Sequence, residues 1–186
     1  MKTIVVGALC VLAWTSLLAC SGDDKSSESS TNALNGARET SFDVTVNGTK
    51  VEKEDDVVSL GLTFPNSLSL GLQSDLPDSF LHQVNVNLGL IGTTTGSHKL
   101  VKISQYSDRD PNSGSNVGVI ITKDQTVSYD SQSGTLDVDT IKLSKPDAQG
   151  TVNLLSLKGS FQGSFIDMKD ATNVATISGH FVYVRN

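Results

Sequence analysis

From Ser41 onward, apolar residues recur at every second position, and this alternation limits what the chain can fold into. A period of two is typical of β-strands that bury one face, whereas an amphipathic helix requires a period of 3.6. Such runs follow one another along the chain, and no stretch sustains a helical period. They are Phe42, Val44 and Val46; Val58, Leu60, Leu62 and Phe64; Leu68, Leu70 and Leu72; Val84, Val86, Leu88 and Leu90; Val117, Val119 and Ile121; Leu136 and Val138; Ile177, Phe181 and Tyr183.

Turn-forming residues separate these runs at hairpin-length spacing. Asn47-Gly48 offers the pair of positive-φ residues that a two-residue hairpin prefers, and Pro65-Asn66 and residues 75–78, 131–134 and 145–150 are also typical of turns. Hairpin-length connections without crossover helices predict an all-β fold, either an antiparallel β-sandwich or a partly closed β-barrel. We expect residues 40–186 to form a single domain of this class.

The clearest local prediction is a long final hairpin with arms near 152–166 and 174–184. Gly159 and Gly179 lie in phase with the inward residues of these arms, which indicates that each makes room for a facing ring or relieves a bend. Two positions break the alternation, at Leu154-Leu155 and at Thr140-Ile141. Because one extra residue restores the buried face, we expect a β-bulge at both.

Four runs share an apolar, glycine, apolar pattern, centred on Gly61, Gly71, Gly89 and Gly118. The alternation places these glycines opposite the core, among serine, threonine, asparagine and glutamine. Two interpretations remain open. Glycine permits strong strand twist, and it also permits a peptide, glycan or partner strand to approach the backbone closely. The second interpretation makes these four glycines a candidate binding face.

The first 19 residues are typical of a secretory signal rather than of a fold element. Lys2 supplies a positive charge, and the apolar residues 4–18 are fewer than the roughly 20 that a membrane-spanning helix needs. The run Leu17-Leu18-Ala19-Cys20 resembles the lipobox of bacterial lipoproteins. The resemblance implies cleavage after Ala19, diacylglycerol on the Cys20 thiol and an acyl chain such as palmitate on the new amino terminus.

Residues 20–39 follow as a polar linker with little to bury, which predicts a flexible tether between lipid and domain. The acidic pair Asp23-Asp24 resembles the surface-export signal of Bacteroidetes lipoproteins, although acidic residues are also common in any solvent-exposed linker. We therefore expect a lipid anchor in the outer membrane, with the domain either periplasmic or surface-exposed. Since Cys10 and Cys20 are the 2 cysteines of the chain, the mature protein has no thiol pair for a disulfide.

The formal charge of −6 at pH 7 opposes binding to phosphate backbones, so nucleic acid is not an expected partner. Three histidines show no metal-ligand spacing, and no cofactor is expected. Asp108, Asp110 and Asn112 have the spacing of the first ligands of a calcium loop, but the flanking pattern departs from an EF-hand and a polar turn explains it. Asp139-Thr140-Ile141 resembles the O-glycosylation acceptor of Bacteroidetes, which makes Thr140 a candidate glycan site.

Short motifs across residues 41–186 resemble small Bacteroidetes lipoproteins of unknown function and bring no catalytic residues with them. They are 94–100, 133–138, 159–161 and 177–181. The first hypothesis is a non-enzymatic envelope module that binds or scaffolds, held on the membrane through Cys20 and contacting a protein or glycan. The alternatives are a small secreted hydrolase or inhibitor, and a lipocalin-like carrier of an apolar ligand.

Overall fold

The computed structural model describes residues 40–77 and 79–185, so the predicted signal segment, Cys20 and the linker lie outside the described residues. The described chain forms ten strands and one short 3-10 turn at Ile103–Gln105. The strands are β1 Ser41–Val46, β2 Thr49–Lys50, β3 Val58–Phe64, β4 Ser67–Leu76, β5 Ser79–Ile91, β6 Gly96–Lys99, β7 Asn116–Thr122, β8 Thr126–Leu143, β9 Leu154–Asp167 and β10 Val174–Val184. The predicted all-β fold is confirmed.

All ten strands belong to one antiparallel sheet in the order β2-β1-β10-β9-β8-β7-β5-β4-β3, with β6 paired to β8. The sheet is open in the described residues, because β2 and β3 end it on opposite sides without pairing to each other. It nevertheless folds over itself, since a Cβ built on Gly61 of β3 would lie 2.9 Å from the Tyr183 ring of β10. The result is a sandwich-like arrangement rather than a closed barrel.

The core lies between the facing parts of this sheet and is filled by side chains from nearly every strand. The alternation in the sequence explains this core. Every second residue is buried in β4 and β10, and the same holds from Val84 to Leu90 in β5 and from Val117 to Val119 in β7. Three phenylalanines from the last hairpin are among its largest fully buried members, Phe161, Phe165 and Phe181.

The final hairpin pairs β9 with β10 along its whole length, as predicted. Gly159 pairs with Phe181 and Gly179 pairs with Phe161, so each inward glycine has a phenylalanine directly across the ladder. A Cβ on Gly159 would lie 2.9 Å from Phe181 Cζ, and one on Gly179 would lie 2.7 Å from Phe161 Cζ. The prediction that these glycines make room for facing rings is confirmed.

Both predicted bulges are present on the ladder between β8 and β9. The register shifts between Val138 and Thr140 and again between Lys142 and Leu143, which leaves Leu155 as the extra residue opposite. The turn predicted at residues 131–134 is wrong, because β8 runs through it as one strand with a third shift between Ser131 and Ser133. The turn-forming residues there bend a strand instead of ending it.

The predicted phase of β3 is also wrong. Its register places Gly61 opposite Leu70 on the core face, and Leu60 opposite Gly71 on the outer face. Tyr183 and Leu154 already occupy the space that a larger residue at position 61 would need, with Leu154 Cδ2 3.0 Å from a Cβ there. The small residues of β3 therefore face inward and its large apolar residues face outward.

Candidate functional site

The outward apolar residues of β3 form a continuous exposed row that we call the edge stripe. It consists of Val58, Leu60, Leu62 and Phe64, which are 63%, 48%, 44% and 39% exposed. These residues alternate with Ser59, Gly61 and Thr63, whose half-buried positions face the other layer. Contiguous exposed apolar surface of this kind is typical of interaction sites, whereas single exposed apolar residues are not informative.

The edge stripe lies on a strand with a free hydrogen-bonding edge. β3 pairs with β4 from Val58 to Phe64, and no described strand pairs with its other side. An open groove of about 500 Å³ runs beside that side. It is lined by Gly61 and Leu62 on one wall and by Asn153, Tyr183 and Arg185 on the other. The free edge is therefore accessible along a surface cleft.

The predicted glycine face is only partly assembled. Gly61 is excluded from it, because this glycine faces the core. Gly71 and Gly118 do lie on the outer face and are joined through Asn87, with which both pair. Gly89 lies on the same face but is covered, since a Cβ there would lie 2.8 Å from Tyr106 Cζ. The two open glycines border the edge stripe through Gly71, which pairs with Leu60.

Tyr106 reaches Gly89 from the loop between β6 and β7. Burial raises the pKa of the Tyr106 hydroxyl above its ordinary value of 10.0, an effect that the Ser67 hydroxyl opposes and the Asp108 carboxylate reinforces. The tyrosine is therefore neutral at physiological pH, as a ring seated against the sheet requires. Gly89 thus has a structural role, because any side chain at that position would displace the Tyr106 ring.

A buried polar cluster holds the start of this loop. It lies where β8 changes partner, because β7 pairs with β8 up to Asp130 and β6 pairs with it from Thr135. Asp130 Oδ2 accepts a hydrogen bond from the Ile103 backbone N–H at 2.9 Å, and Asp130 Oδ1 accepts one from Asn116 Nδ2 at 2.9 Å. Asn116 Nδ2 and the Ser131 hydroxyl both donate to the Val101 carbonyl, at 3.2 and 2.8 Å. These side chains provide hydrogen bonds to backbone groups at the place where β8 has no strand partner on this side.

We expect Asp130→Ala to lower the free energy of unfolding by about 1–2 kcal/mol, because it removes the side-chain acceptor of the Ile103 N–H and one of the acceptors of the buried Asn116 amide. Urea unfolding followed by far-ultraviolet circular dichroism measures this change. Asp139→Ala is the matched control, since Asp139 is exposed on the same strand, and its change should stay within about 0.5 kcal/mol. Equal stability of the two variants would show that the cluster contributes nothing.

The predicted calcium residues form a turn. Asp110 Oδ1 accepts the Asn112 backbone N–H at 2.9 Å, and the Asp110 carbonyl accepts that of Ser113 at 3.0 Å. These bonds are those of an Asx-type turn, in which the carboxylate is used by the chain itself. Among residues 40–77 and 79–185, no three His, Cys, Asp or Glu side chains are grouped so that they could hold a metal ion.

One surface cleft brings together the residue types of a hydrolase. Ser41, Asp43 and His180 line an opening of about 380 Å³ beside β1 and β10, and Asp43 Oδ1 lies 3.3 Å from His180 Nδ1. The side chains of His180 and Asp43 are 76% and 42% exposed. A catalytic triad instead buries its carboxylate to fix the imidazole. This exposed pair lacks that feature.

The candidate glycan site Thr140 is on the outer side of β8. Thr140 pairs with Lys158 and is half-buried, whereas the neighbouring Ile141 pairs with the buried Leu157. The bulge at Asp139 produces this arrangement, because it shifts the alternation by one residue. The hydroxyl therefore belongs to the face away from the core.

No helix in the described part of the chain has the length and apolar character needed to cross a membrane. Comparison with protein-family models, with curated proteins and with solved structures gave no match for this chain.

Proposed function

We propose that this chain is a lipid-anchored, non-enzymatic binding or scaffolding protein of the bacterial outer membrane, and that the edge stripe is its binding surface. The observation that carries the proposal is that exposed apolar side chains on β3 coincide with a strand edge that pairs with no other strand in the described part of the chain. Strand addition uses both, since backbone hydrogen bonds give affinity and alternate side chains give specificity.

Anchoring on Cys20 is the second part of the proposal and rests on the sequence around the cleavage site. Two or more acyl chains give stable attachment, whereas a single chain binds marginally. An anchored domain meets its partners at a membrane surface, where a modest binding area is sufficient.

The two alternative functions have less support. The hydrolase hypothesis has the Ser41, Asp43 and His180 cleft, but the Asp43 and His180 side chains are both solvated, so the carboxylate does not fix the imidazole as it does in a buried triad. The carrier hypothesis needs an apolar cavity, whereas the space between the layers is occupied by Phe161, Phe165 and the other core side chains. The edge stripe needs neither a reactive group nor a cavity.

Photo-crosslinking in intact cells tests the binding surface. A photoreactive phenylalanine analogue replaces Leu62 in the full chain and, as the matched control, Val174, which is an exposed apolar strand residue outside the stripe at 56% exposure. Illumination is expected to give protein adducts from position 62 and few from position 174. If position 62 gives no more adducts than position 174, the edge stripe is not a binding surface.

A further inference from the structure

In residues 40–77 and 79–185, β3 has none of the devices that protect an exposed sheet edge. Natural edge strands are short, or carry lysine, proline or a bulge, because an unprotected edge pairs with other chains. The opposite end of the sheet follows this rule, since β2 is 2 residues long and contains Lys50. β3 instead has 7 residues without charge or proline, and its register with β4 shows no shift.

We propose that the partner at this edge is a second copy of the chain, whose β3 pairs antiparallel to β3 with Gly61 opposite Gly61. The proposal rests on the proposed function, because it identifies what occupies the edge stripe. Two-fold symmetry requires that the same strand serve on both sides, so the strand must be complementary to its own reverse.

The sequence of β3 meets this requirement. Around Gly61, the antiparallel register places Leu60 beside Leu62 of the second copy and Ser59 beside Thr63 of the second copy. Val58 then lies beside Phe64 of the second copy. Every outward pair is apolar and every inward pair is small, and the Ser59–Thr63 pair can share a hydrogen bond across the strands.

The charges that flank β3 favour the antiparallel direction. Asp55 and Asp56 precede the strand, whereas Pro65 and Asn66 follow it. A parallel in-register pair would place the two acidic segments side by side, where like charges repel. The antiparallel pair separates them to opposite ends of the interface, with Asp56 near Asn66 of the second copy.

The groove beside β3 is where an added strand would lie. Ser59, Gly61 and Leu62 of β3 line it on one side, and Tyr183 and Arg185 line it on the other. The inward side of β3 is already packed, because a Cβ on Gly61 would lie 2.9 Å from the Tyr183 ring of the same chain. Each copy therefore covers its own small inward residues, and the second copy adds the contacts between outward apolar residues.

The size of the interface predicts where the dimer forms. A pair of seven-residue strands buries less than the roughly 1,200–2,000 Å² of stable protein interfaces, so the dimer should be weak in dilute solution. Confinement of both chains on one membrane raises their effective concentration without new contacts. We therefore expect the dimer on membranes rather than in dilute extracts.

Disulfide crosslinking on cell membranes tests the register. Two full-length chains with tags of different mass are coexpressed, one with Leu60→Cys and the other with Leu62→Cys, and mild oxidant is added to intact cells. Directly opposite residues have Cβ atoms about 4.5–5.5 Å apart, whereas diagonal ones are about 7–8 Å apart. The mixed-mass dimer should therefore dominate, and each variant expressed alone should give little dimer.

The wild-type chain measures any background from Cys10 and Cys20, the 2 native cysteines. Adding Leu62→Lys to the Leu60→Cys chain should prevent formation of the mixed-mass dimer, because it places a charge at the edge. Adding Val174→Lys to the same chain should leave the dimer yield unchanged. Dimers of equal yield in mixed and single expression, or no dimer, would overturn the self-pairing proposal. If the photoreactive residue at position 62 then gave adducts with a protein of different mass, the proposed binding function would still hold. If it gave no adducts, both the self-pairing proposal and the proposed function would be wrong.

Discussion

Gly159→Val is expected to lower the free energy of unfolding by about 3 kcal/mol or more, a large part of the stability of a domain of this size. The residue is enclosed on two sides. A Cβ at this position would meet the Asp137 carbonyl oxygen of the neighbouring β8 and lie 2.9 Å from Phe181 Cζ. Neither the sheet backbone nor a fully buried ring can move away at small cost, and valine adds two methyl groups beyond the Cβ.

Denaturant unfolding of the purified protein, followed by far-ultraviolet circular dichroism, measures this loss. Gly118→Val is the matched control, because it makes the same substitution in a strand of the same sheet. The nearest atom to a Cβ at Gly118 is the Tyr129 carbonyl oxygen at 3.8 Å, an ordinary contact. Valine also favours strands, so this control should be neutral or slightly stabilising. Similar stability of the two variants would contradict the enclosed-glycine explanation.

Cys20→Ser is expected to abolish acylation and to release the chain from the membrane fraction. The hydroxyl of serine cannot replace the thiol as the acceptor of diacylglycerol in the lipobox that this segment resembles. The folded domain should be unaffected, since the described sheet begins at Ser41. Incorporation of labelled palmitate and separation of membranes from soluble extract measure the two effects.

Cys10→Ser supplies the control for this experiment, because Cys10 lies in the predicted apolar signal region and Cys20 follows the predicted cleavage site. The Cys10 variant should be labelled and sediment like wild type. Continued labelling of the Cys20 variant would show that the chain is anchored in another way or is not a lipoprotein.

The parts of the fold that depend on neighbours in the chain could be predicted from the sequence. Asn47 and Gly48 have φ values of 49° and 80°, as the hairpin turn between β1 and β2 requires. The bulge after Val138 and the glycine and phenylalanine pairs of the last hairpin also follow from the alternation alone. In these cases the pattern itself reports which side of the strand is buried.

The parts that depend on distant residues could not be predicted. The alternation in β3 distinguishes two faces of the strand but does not say which one is buried. Tyr183 fills the space opposite Gly61, so the face with the small residues is the buried one. The edge stripe, which is the candidate site, was hidden for this reason. The cluster around Asp130 was missed because a buried carboxylate has the same sequence signature as a solvated one.

The pairing of β1 with β10 has a consequence for the order of folding. Ser41 pairs with Val182, so the first strand of the sheet waits for the last one to be synthesised. The hairpins β3–β4, β4–β5 and β9–β10 close short loops and can form early. Joining β1 to β10 closes a loop of nearly all the described residues and carries a larger entropic cost. Non-local pairing of this kind slows folding. Until β10 emerges, β1 and β9 each expose an edge, and the nascent chain is most vulnerable to aggregation during that interval.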